Sequence, residues 1–228
     1  MSTYFITAID TDAGKTIATG LLGKHFLEAG KDVVTMKLAQ TGCTEISEDI
    51  YMHRQLMGQQ LTEADFVGET CPYLFPFPAS PHLAAQMDGR EISGLALENA
   101  VRLQETKHEW VLVEGVGGLM VPLNPHVLVA DFIEEQQFPV ILITSGKLGS
   151  INHTLLTLEV MKSRGIQLYG VVYNHYPVSA SEITADSRLV IRHQMDKLFP
   201  EALWGEIPLM DNLVQGGKIH LSENWFVF

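Results

Sequence analysis

The segment AIDTDAGKT, residues 8–16, ends in Gly14-Lys15-Thr16, the tripeptide that closes a phosphate-binding loop. An apolar run precedes it and a helical pattern follows, and in that context backbone N–H groups and a helix N-terminus bind phosphate oxygens. Lys15 is then expected to neutralise the β- and γ-phosphates of a nucleotide, and the Thr16 hydroxyl to ligate Mg²⁺. The usual pattern G-x-x-x-x-G-K-[ST] has glycine where this chain has Ile9, which indicates a loop with a different backbone path.

Two aspartates, Asp10 and Asp12, stand inside the same loop. Phosphate oxygens would repel them unless they face away, cap the turn or meet a cationic second substrate. The loop sequence alone leaves these three options open.

Three further charged residues are candidate partners of the loop. Lys37 closes an apolar run that looks like a central strand, and its alternative is a lysine that ends an edge strand in solvent. Glu114 ends the run WVLVE before a glycine turn, where it either holds Mg²⁺ or caps the turn. Asp49 lies in the acidic stretch EISEDIYMH and by itself indicates a solvated surface.

A second helix start follows the segment SGKLG. Ser150 or Asn152 can cap this helix, and its free N–H groups would form an anion site; an isolated cap without a ligand is the alternative.

Apolar, β-branched runs alternate with longer helical patterns. Strands are predicted at Tyr4–Ala8, Asp32–Lys37, Trp110–Glu114, Val140–Thr144, Leu168–Tyr173 and Ala202–Ile207. Helices are predicted at Thr16–Ala29, Leu95–Glu105, Val129–Glu135, Ile151–Ser163 and Ser187–Leu198. This alternation predicts an α/β fold of the P-loop NTPase type: one domain over residues 1–228, with three layers and a central, mainly parallel β-sheet flanked by helices.

Composition bounds the function. The 228 residues carry a formal net charge of −12, which argues against a nucleic-acid partner, although local lysines and a metal ion still permit ATP. The two cysteines, Cys43 and Cys71, predict reduced thiols. No run is apolar enough to span a bilayer and no secretory signal precedes the first strand, so a cytoplasmic protein without a membrane partner is expected. The Pro-rich stretch Cys71–His82 predicts an ordered loop over a pocket.

Several segments occur together in the order and spacing of the dethiobiotin synthetase family. They are residues 7–16, Lys37 with Thr41, and the segments VEGVGGLMVPL, KLGSINHTLLT, VVYNHY and WGEIP. The chain resembles this family over nearly its whole length. The resemblance implies an ATP- and Mg²⁺-dependent cyclo-ligase of biotin biosynthesis, which joins 7,8-diaminopelargonate and CO₂ into the ureido ring of dethiobiotin and releases ADP and phosphate. It also implies a homodimer, with one helix start contributed across the interface.

The resemblance assigns a role to each matching position. The positions implied to act in catalysis are Thr11, Asp12, Lys15 and Lys37. Those implied to bind the nucleotide are Asp12, Ala13, Gly14, Lys15, Thr16, Ile17, Asn174, Gly205, Glu206, Ile207 and Pro208. The implied Mg²⁺ ligands are Thr16, Asp49 and Glu114. The positions implied to bind the substrate are Thr11, Lys37, Thr41, Gly117, Gly118, Ser150, Ile151 and Asn152.

The chain departs from the family pattern in three places. Ala8-Ile9 replaces the usual Gly-Thr, Asp12 replaces the usual Glu, and the tail LSENWFVF has no counterpart in the family, so it is expected to pack on the surface or at a subunit contact. The choice between ATP and CTP, and assembly beyond a dimer, stay open.

Two alternatives compete with this interpretation. A ParA/MinD-like ATPase switch would carry a signature lysine at position 10, where this chain has Asp10. An amidating cobyrinate-type synthetase would lack the KLGxINH helix start and carry an added glutaminase domain.

Overall fold

The computed structural model describes residues 2–210 and 213–226. The strands in this part of the chain are β1 (Ser2–Ala8), β2 (Val33–Lys37), β3 (Gln40–Thr41), β4 (Leu74–Phe75), β5 (Trp110–Glu114), β6 (Pro122–Asn124), β7 (Val127–Leu128), β8 (Val140–Ser145), β9 (Leu168–Asn174), β10 (Leu203–Ile207) and β11 (His220–Leu221). The helices are α1 (Lys15–Glu28), α2 (Glu48–Met57), α3 (Glu63–Phe66), α4 (Pro81–Met87), α5 (Gly94–Lys107), α6 (Val129–Gln136), α7 (Ser150–Arg164), α8 (Ser181–Leu198) and α9 (Leu213–Gly216).

Seven of these strands form one sheet in the order β11-β10-β9-β8-β1-β5-β2. All its pairings are parallel except that of β11 with β10. β1 lies between β5 and β8, and its side chains alternate between two apolar clusters, with Phe5 in one and Ile6 in the other. Helices α5 to α8 pack in the first cluster, and α1 and α2 in the second. The prediction of a mainly parallel sheet between two helical layers is confirmed.

Most predicted elements agree with the observed ones to within one or two residues at each end. Five of the described helices differ more, and three of them, the short α3, α4 and α9, have no predicted counterpart. α8 begins at Ser181, six residues before the predicted Ser187. α2 was not predicted, because its acidic first turn looks like a solvated face; in the structure the Ser47 hydroxyl accepts a hydrogen bond from the N–H of Ile50 and caps it.

The prediction that Lys37 ends a central strand is wrong, because β2 is an edge strand of the sheet. All five of its residues are nevertheless buried. The chain that follows α3 covers the edge: the N–H of Lys37 donates to the carbonyl oxygen of Thr70 (2.8 Å), and the N–H of Gln40 donates to that of Tyr73 (2.8 Å). An edge strand can thus be as apolar as a central one when another segment shields it.

A buried ion pair holds the segment that follows α3 against the edge of β2. Arg54 on α2 donates to both carboxylate oxygens of Asp65, from Nε at 3.0 Å and from an Nη atom at 2.8 Å. It also donates to the Thr35 hydroxyl of β2 (2.7 Å), while the Thr70 hydroxyl donates to Asp65 (2.7 Å). Burial alone raises the pKa of Asp65, but the hydrogen bonds from Arg54 and Thr62 and the Arg54 charge outweigh it and hold the pKa below its ordinary value.

The C-terminal tail is part of the core rather than of the surface. β11 pairs with β10, and beyond it Trp225 and Phe226 are only 6% and 3% exposed. The ring of Phe226 packs on those of Phe26 and Tyr4, with centroids 4.4 and 5.1 Å away. The last two residues of the tail, 227 and 228, lie outside the described residues.

Both cysteines are free thiols, as predicted. In the part of the chain that the structure describes, no helix has the length and apolar character needed to cross a bilayer.

Replacement of the buried carboxylate, Asp65→Asn, is expected to lower the free energy of unfolding by about 3 kcal/mol, because it leaves the Arg54 charge buried without its counter-ion. Urea unfolding at pH 7 measures this loss. The matched control is Asp88→Asn, which removes an exposed partner of Arg90 and is expected to cost at most about 1 kcal/mol.

The loss should also depend on pH with a defined sign. Because the folded-state pKa of Asp65 is lowered, the stabilisation by its carboxylate is complete above the unfolded-state pKa of about 3.9 and is lost as the pH falls through the folded-state value. The difference between wild type and Asp65→Asn should therefore shrink below about pH 4. Equal losses for the two variants, or a difference that is constant down to low pH, would contradict this role of Asp65.

Candidate active site

The phosphate loop connects β1 to α1 and is tied to the end of β9. Gly14, at the N-terminus of α1, has a left-handed conformation with φ of 99°. A Cβ atom there would lie 2.3 Å from Nδ2 of Asn174, which donates a hydrogen bond to the carbonyl oxygen of Ala13 (3.1 Å). Glycine at position 14 is therefore required both by the backbone and by the close approach of Asn174.

The structure explains how the loop forms without glycine at position 9. The N–H of Ile9 donates to the carbonyl oxygen of Ile143 (3.1 Å), which extends the pairing of β1 with β8 by one residue. The left-handed conformation falls later, at Asp12, with φ of 59°. Aspartate adopts this conformation more readily than most residues, so the chain turns into the loop at Asp12 rather than at Ile9.

The two loop aspartates have different surroundings. The Asp10 carboxylate accepts a hydrogen bond from the N–H of Thr11 (2.8 Å). The backbone carbonyl oxygen of Asp10 accepts one from Nζ of Lys15 (3.1 Å). Asp10 also lines a smaller cleft of the protein, whereas Asp12 lines a larger one. Of the three options that the sequence left open, Asp10 caps the turn through its contact with Thr11, and both Asp10 and Asp12 line spaces that could hold a ligand.

Lys37 and Glu114 end β2 and β5 and are register partners across these strands. Nζ of Lys37 lies 2.7 Å from Oε1 of Glu114 and 2.6 Å from Oδ2 of Asp49. The Thr16 hydroxyl, in the first turn of α1, donates to Asp49 (2.9 Å) or Glu114 (3.1 Å). The four side chains, which we call the charge cluster, thus meet at the carboxyl edge of the sheet, as the sequence predicted for strand ends.

Lys37 and Glu114 stay ionised despite burial. Burial lowers the pKa of Lys37, but the Glu114 and Asp49 charges outweigh this and hold it above its ordinary value. Burial likewise raises the pKa of Glu114, and the Lys37 charge and a hydrogen bond from His53 bring it below its ordinary value. Burial, together with the Lys37 charge, lowers the pKa of Lys15 to about 8.

The charge cluster has the donors that Mg²⁺ prefers, one hydroxyl and two carboxylates. No group of three or more His, Cys, Asp and Glu side chains suited to a metal ion is present in residues 2–210 and 213–226. A metal ion here would therefore take Thr16, Asp49 and Glu114 together with water and phosphate oxygens, which is the usual arrangement for Mg²⁺. The Lys37 amine now contacts both carboxylates, so it would share them with the ion.

A cleft of about 1030 Å³ opens above the charge cluster. Fourteen of the residues that the sequence predicted line it: Thr11, Asp12, Gly14, Lys15, Thr16, Ile17, Lys37, Thr41, Asp49, Glu114, Gly117, Asn174, Ile207 and Pro208. The Pro-rich stretch reaches it with Pro78, Ala79, Ser80 and Pro81 and so covers a pocket as predicted. Residues that the sequence did not single out also line it, and these include Gln40, Tyr176, Leu209 and Met210. Each of the four is a near neighbour in sequence of a predicted residue, and that was the only signal available.

Ala13, Gly205 and Glu206 are not among the lining residues. Ala13 is 5% exposed and meets Asn174 through its backbone. The Glu206 carboxylate contacts the ring nitrogen Nε2 of His175 (2.8 Å) and accepts from the indole N–H of Trp204 (2.8 Å). These contacts place the Glu206 side chain beside β10 rather than in the cleft.

A smaller cleft of about 370 Å³ adjoins the first. Thr11, Gly117 and Val121 line both, so the two clefts meet at these residues. Gly118 lines the smaller cleft, as do the side chains of Met120 and Leu156, which are 53% and 58% exposed. Its walls are mainly apolar, unlike the charge cluster.

The start of α7 lies apart from both clefts. Ser150, Ile151 and Asn152 line neither, although His153 lines the smaller one. The Ser150 hydroxyl is within hydrogen-bond distance of the Ser145 hydroxyl (3.2 Å), while Leu148 just before the helix is 88% exposed. Within one copy of the chain, the predicted anion site at the start of α7 therefore lies outside the clefts that the other predicted residues line.

Comparison with known proteins places the chain. A family model described as an AAA domain matches residues 2–216. The ATP-dependent dethiobiotin synthetase of Pasteurella multocida is 45% identical over 207 residues, which are 91% of this chain and 97% of that protein. That of Haemophilus influenzae is 51% identical over 173 residues, which are 76% and 91% of the two chains.

The fold has more distant relatives. The MinD cell division protein of Aquifex aeolicus matches 94% of this chain and 85% of its own with a TM-score of 0.56 at 14% identity, a likeness of fold alone. The P-loop NTPase fold predicted from the sequence is thereby confirmed. The identity with the curated relatives extends over most of the chain, and the chain belongs to the family of ATP-dependent dethiobiotin synthetases.

Proposed function

We propose that this protein is a dethiobiotin synthetase that uses ATP and Mg²⁺ to close the ureido ring from 7,8-diaminopelargonate and CO₂. The observation that carries the proposal is the junction of the two clefts at Thr11, Gly117 and Val121, in the larger cleft that the charge cluster also lines. The larger cleft has the phosphate loop and fits a nucleoside triphosphate. The smaller one has apolar walls and fits a hydrocarbon chain.

The nucleotide would lie in the larger cleft with its phosphates on the loop. Backbone N–H groups at the start of α1, together with Lys15, would bind the phosphate oxygens. The base would lie between Asn174 and the Ile207-Pro208 segment, where β9 and β10 end. Gly205 and Glu206 would hold β10 in place rather than touch the base.

Thr16, Asp49 and Glu114 would hold Mg²⁺. When bound, the ion stabilises the charge that develops on a transferring phosphoryl group. The lysine amine of Lys37 is placed to neutralise the carbamate oxygen and the γ-phosphate as these approach, since it lies in the same charge cluster.

The diamine would reach this point from the smaller cleft. The Asp12 carboxylate in the larger cleft fits a cationic amine, and the hydroxyls of Thr11 and Thr41 would donate to carbamate oxygens. Gly117 and Gly118 line the smaller cleft and would expose their backbone to the substrate. A Cβ at Gly118 would lie 3.1 Å from the carbonyl oxygen of Ala8, so glycine there lets this turn pack on the end of β1. Met120 and Leu156 would pack on the hydrocarbon chain.

The chemistry needs positioning more than covalent help from the protein. One amine adds to CO₂ and loses a proton to give a carbamate, whose oxygen attacks the γ-phosphorus and releases ADP. The second amine then attacks the carbonyl carbon of the mixed anhydride, which closes the ring and releases phosphate. Residues of the charge cluster and the phosphate loop would hold the reacting atoms together and neutralise the negative charge.

The substrate carboxylate would bind at the start of α7 in a second copy of the chain. Ser150, Ile151 and Asn152 lie outside both clefts of their own chain, and exposed apolar side chains flank this region at Leu148 and Leu156. A homodimer would bury these apolar side chains and bring the first-turn N–H groups of α7 in one copy to the smaller cleft of the other. A cytoplasmic location stays a prediction from the sequence.

The switch alternative has no comparable support. Asp10 occupies the position where such a switch carries its signature lysine, and it is hydrogen-bonded within its own loop.

ADP release should depend on both 7,8-diaminopelargonate and bicarbonate, because the nucleotide is consumed only when a carbamate is present to accept the phosphoryl group. A coupled ADP assay with each substrate omitted in turn measures this. ADP release that is unchanged without the diamine would reject the proposed function.

Lys15→Ala and Lys37→Ala should each lower kcat by about 10²–10³-fold, because each removes a charge that neutralises the transferring phosphoryl group. Lys107→Ala is the matched control: this lysine pairs with Glu69 on the surface, 41% exposed, and its removal should leave kcat unchanged. A near-normal kcat for Lys15→Ala or Lys37→Ala would exclude the role assigned to that lysine.

A site shared between two subunits can be tested by mixing inactive variants. Lys15→Ala disables the phosphate loop, and Asn152→Asp places a negative charge where the substrate carboxylate is expected, so each variant alone should be nearly inactive. If they are unfolded and refolded together, mixed dimers keep one intact site, and about a quarter of wild-type activity should return. No recovery, in a mixture shown by size to be dimeric, would indicate that each chain forms its site alone.

A further inference from the structure

We propose that His53 is a positioning residue that holds the Glu114 carboxylate in the orientation that the site requires. The proposal rests on the function proposed above, in which Glu114 is a ligand of Mg²⁺. His53 lines neither cleft, so it acts through Glu114 rather than on the substrate.

The contact between the two residues is short and fully buried. Nε2 of His53 lies 2.7 Å from Oε2 of Glu114, and both side chains have no exposed surface. A carboxylate only accepts hydrogen bonds, so Nε2 carries the proton and donates it. The other ring nitrogen, Nδ1, is buried and has no hydrogen-bond partner among the residues that the structure describes. Among the described residues, the contact with Glu114 is therefore the only hydrogen bond of this ring.

The two oxygens of Glu114 have separate partners. Oε2 contacts His53, while Oε1 contacts Nζ of Lys37 (2.7 Å) and the Thr16 hydroxyl (3.1 Å). The terminal torsion angle of a glutamate has a broad, roughly two-fold distribution. Without a donor to Oε2, the Glu114 carboxylate would therefore be free to rotate about this bond. The bond from His53 stops this rotation and keeps Oε1 directed at the charge cluster.

The backbone around His53 is held as well. Asp49 and His53 are four residues apart on α2 and share one face, and Thr16 and Gly20 share a face of α1 in the same way. A Cβ at Gly20 would lie 2.6 Å from Cδ1 of Leu56 and 3.3 Å from Cα of His53, so the two helices touch at this glycine. The close crossing fixes the distance from His53 to the charge cluster.

In metal sites, removal of a residue that hydrogen-bonds a ligating carboxylate typically lowers metal affinity or activity by 10- to 100-fold. His53, on α2, is such a hydrogen-bond partner of Glu114, which lies at the end of β5. It is therefore expected to affect the binding of Mg²⁺ with nucleotide more than the binding of the diamine.

The test compares His53→Gln, His53→Asn and His53→Leu in the full-length protein. A glutamine amide reaches the position of Nε2 and can donate to Glu114; an asparagine amide reaches only the position of Nδ1; leucine fills the space without a donor. The primary measurement is the affinity for ADP by calorimetry, with and without Mg²⁺ and in the absence of diamine. Steady-state kcat, the KM for the diamine and the unfolding midpoint are measured alongside.

His53→Asn and His53→Leu should weaken ADP binding in Mg²⁺ by about 10- to 100-fold and leave Mg²⁺-free ADP binding unchanged, while His53→Gln stays within about threefold of wild type. The KM for the diamine should change little in all three variants. If His53→Asn does not fold, the comparison of His53→Gln with His53→Leu tests the proposal by the same measurement.

Equal Mg²⁺-dependent affinity for the glutamine and leucine variants would overturn the proposal, as would a loss that is the same with and without Mg²⁺. A change confined to the unfolding midpoint would show that His53 is structural only. Since ADP binding needs no diamine, a wild-type protein without diamine-dependent turnover would reject the proposed function separately.

Discussion

The ion pair between Lys37 and Glu114 is the interaction on which the site depends. Both residues are at the ends of strands, opposite each other in register, and both are buried. Removing two charges from water is unfavourable unless their attraction and further hydrogen bonds offset the loss. Asp49, Thr16 and His53 supply those further contacts. One lysine faces two carboxylates, so these three groups together keep a formal charge of −1 and attract another cation.

Helix α2 links this ion pair to the stability of the fold. One face of the helix carries Asp49, a member of the charge cluster, and His53, which contacts that cluster. Arg54, the next residue, instead faces Asp65 and the edge of β2. The helix thus connects the strand that carries Lys37 with the segment that shields it. A buried position for Lys37 at an edge strand is possible only because the segment between α3 and β4 covers that edge.

The phosphate loop shows how a local departure from a common pattern is accommodated. Ile9 extends the pairing of β1 with β8, and the left-handed turn moves to Asp12. Asp10 then caps the turn and lines the smaller cleft, and Asp12 lines the larger one. The order of Gly14, Lys15 and Thr16 relative to α1 is unaffected, because the close approach of Asn174 fixes Gly14 independently of the residue at position 9.

Much of this arrangement follows from the sequence. The strands of the sheet interior, the phosphate loop and the strand-end residues Lys37 and Glu114 are local signals: apolar runs, a tripeptide before a helix and a charge after a buried run. Local patterns could not show that β2 lies at the edge, since a covered edge strand is as apolar as a central one. Nor could they show that the tail is buried against β1, or that Glu206 faces away from the cleft.

The contacts that complete the site join residues far apart in the chain. His53 and Glu114 are 61 positions apart, and Thr16 and Glu114 are 98 apart. No periodicity relates such positions: the family resemblance grouped Thr16 with Glu114, and nothing in the sequence pointed to His53. The sequence by itself therefore determined which groups could bind phosphate and metal, because those chemistries depend on residue type and on the strand or helix end that carries it. The tertiary structure decided which groups meet, because close packing of α1 on α2 and the register of β2 on β5 set the distances between them.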